Sequence, residues 1–170
     1  MAQGKRNDPT VEPSEADYWY AAGFIDGEGC ITVRQSPGTR NHKTWNPSMY
    51  VSVTISQADP YGWMLEWFAE RWGGALRKKF RRPSASARER DAWEWTVVGH
   101  GAYRLLDGVR PMLKIKGPQA DNALRLRDLR KDYGRGRAGH ERSLSPDELA
   151  LQADVLATAR RLNLRGLPEV

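Results

Sequence analysis

The residues best placed to do chemistry lie between Tyr18 and Val33, in the stretch YWYAAGFIDGEGCITV. Gly23 and Gly27 are four apart, so on a helix they share one face and let another backbone approach closely. Ala22 beside Gly23 is read as widening that smooth face. Gly27 and Gly29 bracket Glu28, where the helix should stop and the chain turn into a strand. A full negative charge is thereby set on the end of a helix that already carries partial negative charge. If the touching helix belongs to a second copy of the chain, two carboxylates and two dipole ends meet. A divalent cation relieves that repulsion, and hard oxygen ligands suit Mg²⁺. A metal ion beside a phosphodiester is a common route to strand cleavage.

The surrounding elements must hold that carboxylate. Ser14 and Asp17 form a capping pattern, so the first helix is expected from Glu15 to Asp26. Two alternating strands follow. Ile31 and Val33 face opposite to Thr32 and Arg34, and Val51, Val53 and Ile55 face opposite to Tyr50, Ser52, Thr54 and Ser56. Ser36 to Pro47 reads as a loop between them. Asp59-Pro60 reads as an N-cap before a helix carrying Trp63, Leu65, Trp67, Phe68 and Trp72, closed by Gly73-Gly74. Ala75 to Arg82 is a basic strand with Leu76 and Phe80 as inward anchors. A Ser/Arg-rich loop then leads to a returning strand in which Trp93, Trp95 and Val97 alternate with Glu94 and Thr96. A short helix over 101–108, an extended segment over 112–116, a helix from Pro118 and a last helix capped at Ser145 complete the chain.

This order predicts an α+β domain, with an antiparallel four-stranded sheet packed on helices. Residues 1–13 read as a flexible tail, 14–132 as the core, 133–142 as a Gly/Arg linker and 143–170 as a C-terminal helical extension. One sheet face packs on tryptophan-bearing helices. The other offers Thr32, Arg34, Ser36, Tyr50, Ser52, Thr54, Arg77, Lys79, Arg81 and Glu94, in rows suited to the edges of bases in a DNA major groove.

Composition agrees with a polyanionic partner. The chain of 170 residues carries a net charge of +6, and Arg77 to Arg90 is basic but for Glu89. Cys30 is the only cysteine. That excludes an intramolecular disulfide and suits a reducing, intracellular compartment, with DNA in a bacterial cytoplasm or an organelle. No apolar run is long enough to span a membrane, so no membrane partner is expected.

The segment Ala21-Ala22-Gly23-Phe24-Ile25-Asp26-Gly27-Glu28-Gly29 resembles the motif of the LAGLIDADG homing endonucleases. Ala22, Gly23, Ile25, Asp26 and Gly29 match it, Gly27 replaces Ala, and Glu28 replaces the second Asp while keeping the carboxylate. The resemblance extends to about Asn122. It implies a saddle-shaped sheet on double-stranded DNA, an Mg²⁺-dependent double-strand break and, because the motif occurs once, a homodimer joined through Ala22, Gly23 and Gly27. It also implies roles outside the motif. Gln57 would help hold a metal-bound water, the Gly27 carbonyl would be a second metal ligand beside Glu28, and Lys116 would be an active-site lysine, with Lys114 on the same side. Without the resemblance, Gln57 is a loop glutamine near a helix start and Lys116 a phosphate-positioning or solvated lysine. Asp26 is implied to be a helix-end group more than a ligand. Some relatives carry a basic residue four after the glutamine; here Tyr61 stands there and brings no charge. The alternatives are a non-cleaving DNA-binding regulator and an RNA-binding intron maturase on the same scaffold.

Overall fold

A computed structural model describes residues 8–35, 49–80, 90–132 and 145–164. Ser36, Arg81, both sheet loops and the Gly/Arg linker lie outside them. The order of elements is α1 (Glu15–Glu28), β1 (Gly29–Gln35), β2 (Met49–Ala58), α2 (Met64–Trp72), β3 (Ala75–Lys79), β4 (Ala92–Val98), α3 (His100–Val109), α4 (Gly117–Asp132) and α5 (Pro146–Leu162). A 3-10 turn, Tyr61–Trp63, precedes α2.

The four strands form one antiparallel sheet in the order β1-β2-β4-β3. Alternation does the sorting. Ile31, Val33, Val51, Val53, Ile55, Trp95 and Val97 point to one face and are buried. The helices cover that face with Ile25, Leu65, Phe68, Trp72, Leu105, Leu106 and Leu126, giving one continuous core. Removing such side chains from water is the main favourable contribution to folding. Phe68 sits at its centre, with ring centroids 5.5 Å from Phe24, 5.6 Å from Trp72 and 5.1 Å from Trp95. From α5, Val155 and Ala159 join the same core. The Asn163 side chain, just past α5, donates to the Ile31 carbonyl of edge strand β1 at 3.0 Å.

Both predicted capping boxes form. Ser14 Oγ accepts from the Asp17 N–H while the Asp17 carboxylate accepts from the Ser14 N–H, and Ser145 and Glu148 repeat the arrangement. Several local readings are corrected. Phe80 is 75% exposed, not an inward anchor, because β3 ends at Lys79 and regular alternation stops there. Asp59 makes no helix cap. Its carboxylate instead accepts from the Trp93 indole N–H at 2.8 Å and pairs with Lys78 at 3.0 Å. Ser52 lies in an outward row yet is buried, since Thr32 sits across from it with the two hydroxyl oxygens 2.7 Å apart. Residues 112–116 form turns and bends, not an extended run.

Helix α1 runs into β1 with no intervening loop, which makes Gly29 the tightest point of the junction. A Cβ there would stand 2.8 Å from both the Cα and the carbonyl oxygen of Ile25. Because those atoms are backbone, they cannot swing aside. Gly29→Ala is expected to destabilise the fold by about 1–3 kcal/mol, the usual result of overpacking. Urea denaturation checks it, and an unchanged midpoint would show that the junction tolerates a side chain.

Candidate active site at the tip of the first helix

The C-terminal tip of α1 is built by one carboxylate. Asp26 accepts backbone N–H bonds from Lys114 (2.7 Å), Ile115 (3.2 Å) and Lys116 (2.8 Å). Three donors can converge on one side chain only if the segment curls, which is why residues 114–116 bend. Burial pushes the Asp26 carboxyl upward, but the three N–H bonds and the Lys116 charge outweigh it and hold the group below its ordinary range. The bent segment continues into α4, which is tied back by an ion pair between Arg110 and Asp121.

The curl delivers the Lys116 side chain to the helix end. Its Nζ donates to the carbonyls of Ile25 (2.7 Å), which also accepts the Gly29 N–H, and Asp26 (2.8 Å), in the last turn, where a helix C-terminus leaves carbonyls short of partners. The ammonium therefore sits on the negative end of the α1 dipole. Burial lowers the Lys116 pKa, and the charges of Asp26, Cys30 and Glu28 offset this only in part. Glu28, the last residue of α1, is exposed beside it. The charge conflict visible in the sequence thus has an answer inside one chain, because a lysine from a segment 90 positions away neutralises part of it.

Gly23 and Gly27 are both exposed, and a Cβ at either would meet nothing within 4 Å. Their face of α1 is open. Ala22 is not part of it. It is 1% exposed and belongs to the core, because one residue along a helix turns the side chain by about 100°. The open face is bordered by Trp19 and Tyr20 instead, 53% and 46% exposed.

Gln57 lies within β2, paired with Trp93, and not in a loop after it. It has the parity of the inward residues Val53 and Ile55. Since Gly29 pairs with Ile55, Gln57 is carried past the start of β1, to the end of the sheet where Glu28 lies. Tyr61 is 59% exposed, and Lys114 is exposed at the bend.

The outward rows are as the alternation predicts. Register aligns Thr32 with Ser52, Arg34 with Tyr50, and Ser56 with Glu94 and Arg77. Several of these side chains engage one another. The Thr54 and Thr96 hydroxyl oxygens are 3.1 Å apart, and Lys79 is ion-paired with Glu94. Thr96, which the alternation places on the side of Glu94, belongs to this face though not among the predicted DNA contacts, and the outward-facing Cys30, opposite Thr54, joins it.

Among the described residues, no group of three or more His, Cys, Asp or Glu side chains could hold a metal within one chain. The donor chemistry at the α1 tip still fits Mg²⁺ in part. The Glu28 carboxylate is exposed, and the neighbouring Gly27 carbonyl is not one of the two that Lys116 occupies. Both are hard oxygen donors.

No family model matches this chain, and no curated protein matches it. Solved structures do. The homing endonuclease I-CvuI, in complex with its target in the presence of 2 mM Ca, superposes with a TM-score of 0.66 at 20% identity, covering 92% of this chain and 87% of that one. The archaeal intron-encoded homing endonuclease I-Vdi141I complexed with DNA gives 0.60 at 16% identity, over 92% and 89%. The I-SmaMI LAGLIDADG homing endonuclease bound to cleaved DNA gives 0.58 at 14% identity, over 87% of this chain but 45% of that one. The fold is the LAGLIDADG homing endonuclease fold. Within it, the motif helix is α1 and the saddle is the outward face of the β1-β2-β4-β3 sheet.

The Asp26 clamp has a measurable signature. A carboxyl held below its ordinary range contributes stability that is present above the unfolded-state pKa and lost as pH falls through the folded value. Asp26→Asn keeps the shape but donates an NH₂ toward an all-donor segment. It should cost about 1.5–3 kcal/mol at neutral pH, the range for hydrogen bonds to a charged group. The difference between the two proteins should shrink as pH drops into the acid range. Denaturation midpoints at neutral and acid pH check this, and a gap independent of pH would show that the carboxylate charge is not what holds the segment.

Proposed function

We propose that this protein is a site-specific homing endonuclease acting as a homodimer. It makes a double-strand break in a long pseudo-palindromic DNA target by Mg²⁺-dependent hydrolysis. One observation carries the reading: an exposed carboxylate and a fixed ammonium meet at the end of a helix whose glycine face is open. A two-fold contact between such faces brings both Glu28 carboxylates to one point and makes a symmetric target natural. The solved neighbours support it, since several are homing endonucleases in complex with DNA, with Ca or Mg present for I-CvuI. That this chain spans 45% of the I-SmaMI chain supports two copies acting together.

Glu28 and the Gly27 carbonyl would hold the metal, one set from each protomer. Held there, Mg²⁺ would supply Lewis-acid charge to the scissile phosphate and to the leaving 3′ oxygen. Lys116, already fixed by two carbonyls, places positive charge where the phosphorane becomes more negative and orients the attacking water. Gln57, at the same end of the sheet, helps position that water. Tyr61 adds a hydrogen-bonding hydroxyl and no charge, so Lys116 carries more of the electrostatic role. Thr32, Arg34, Tyr50, Ser52, Thr54, Arg77, Lys79 and Glu94 line the groove-facing surface, with Lys114 near the phosphates. To read bases, the pairs Thr32–Ser52 and Lys79–Glu94 must exchange partners with the DNA.

The test is a cleavage selection against a randomised duplex library with Mg²⁺, run with the natural chain and with Glu28→Gln. The natural chain should return two-fold-related sites cut in both strands. Glu28→Gln should bind the selected site with affinity within a few-fold and not cut it. Cutting by Glu28→Gln, or by the natural chain in excess EDTA, would remove Glu28 as the metal ligand. Tight binding to selected sites with no cutting by the natural chain would favour the non-cleaving regulator.

A further inference from the structure

A cleft of about 340 Å³ opens at the border of the sheet, away from the α1 tip. Strand β3 begins at Ala75, opposite Thr96, so Val98 at the end of β4 has no β3 neighbour. The gap is walled by Gly73 and Gly74 on one side and by the start of α3 on the other. Among the described residues, three able to carry positive charge line it: Arg77 from the outward sheet face, and His100 and Arg104 from α3. Arg104 is anchored by one bond, donated from Nη2 to the Arg71 carbonyl at 2.8 Å. A guanidinium has five N–H groups, so this anchoring uses only one of them.

The start of α3 adds backbone donors to the wall. Helix α3 starts at Gly99 (φ 59°) with no side-chain cap, so its first N–H groups have no side-chain acceptor. Trp72, 2% exposed, also borders the cleft, but its ring packs among Tyr18, Trp67 and Phe68 in the core and its indole N–H is not offered to the opening. Among the described residues, the one carboxylate at the rim is Asp8. It is brought there by the strap in which the N–H groups of Thr10 and Val11 donate to the Glu70 carbonyl at 2.7 and 3.0 Å.

Cationic side chains and unused donors around a small cleft suit an oxyanion. Its mouth adjoins Arg77 and Thr96 of the outward face. A duplex lying along that face would run its sugar-phosphate backbone past the sheet border. We propose that this cleft binds a backbone phosphate of the DNA at the flank of the target, through Arg104, His100 and Arg77. It acts as a positioning site that fixes register without reading sequence. This rests on the DNA-binding reading above. Asp8 opposes the phosphate, so the N-terminal strap tunes the affinity downward.

The test uses the full chain and a duplex, measuring affinity across a salt series with Ca²⁺ present. His100→Glu is the primary variant, because an acidic residue in the first turn of a helix favours the fold while opposing a phosphate. It should keep or raise the melting temperature yet weaken duplex binding roughly 10-fold, the lower end for losing a charged hydrogen bond. The slope of log K against log salt should fall by about 0.9 per phosphate lost. Asp8→Asn should shift affinity the other way, and Arg104→Gln should weaken binding even where its lost bond to Arg71 lowers stability. Folded His100→Glu and Arg104→Gln proteins with unchanged affinity and slope, or weaker binding by Asp8→Asn, would overturn the proposal while leaving the DNA reading standing. A natural chain that binds no duplex would overturn that reading and this site with it.

Discussion

Three backbone N–H groups converging on the Asp26 carboxylate are the interaction on which the site depends. They join the end of α1 to a segment far along the chain, and that junction fixes the direction of the Lys116 side chain. A carboxylate in place of a neutral group matters, because three donors with no anion would leave peptide dipoles unsatisfied at a partly buried turn. The Lys116 ammonium then closes the arrangement from the other side, on the carbonyls of Ile25 and Asp26. One clamp thus terminates the helix, bends the chain into α4 and sets a cation beside Glu28.

The clamp also explains how an apparently unfavourable charge can persist. Glu28 at a helix C-terminus is repelled by the dipole, yet the local cation reduces that repulsion while leaving Glu28 exposed. A single ammonium cannot neutralise two such carboxylates together with a scissile phosphate, so a divalent ion still has a role in the proposed dimer. The open Gly23 and Gly27 face and the exposed Trp19 and Tyr20 beside it lie on the same helix. Catalysis and assembly are therefore proposed to share α1, whose other side, Ala21, Ala22 and Ile25, is built into the core.

Much of the fold was legible because burial follows period. The alternation in β1, β2 and β4 gave the correct face for Ile31, Val53 and Trp95, and Ser14 and Ser145 marked helix starts through side-chain chemistry that acts locally. Three of the misreadings share a cause in contacts between distant segments. Asp59 has the pattern of a cap, but the Trp93 indole and Lys78 compete for its carboxylate. Residues 112–116 look extended until Asp26 gathers their N–H groups. Ser52 is polar and outward, and only its cross-strand neighbour Thr32 reveals why it is covered. At the α1 tip, Glu28 could be singled out from its position alone. The Lys116 cap could not, since nothing local to Lys116 announces a helix end 90 positions earlier.

If the clamp positions Lys116 for chemistry, and does not merely finish a helix or attract phosphates, removing its charge must slow the reaction itself. The decisive measurement is single-turnover cleavage of the selected site by Lys116→Met at saturating protein. The account predicts a rate lower by ~10²–10³, the loss typical of a preorganised charge-stabilising group, with duplex affinity little changed. An unchanged single-turnover rate accompanied by weaker binding would contradict it and reduce Lys116 to a phosphate contact.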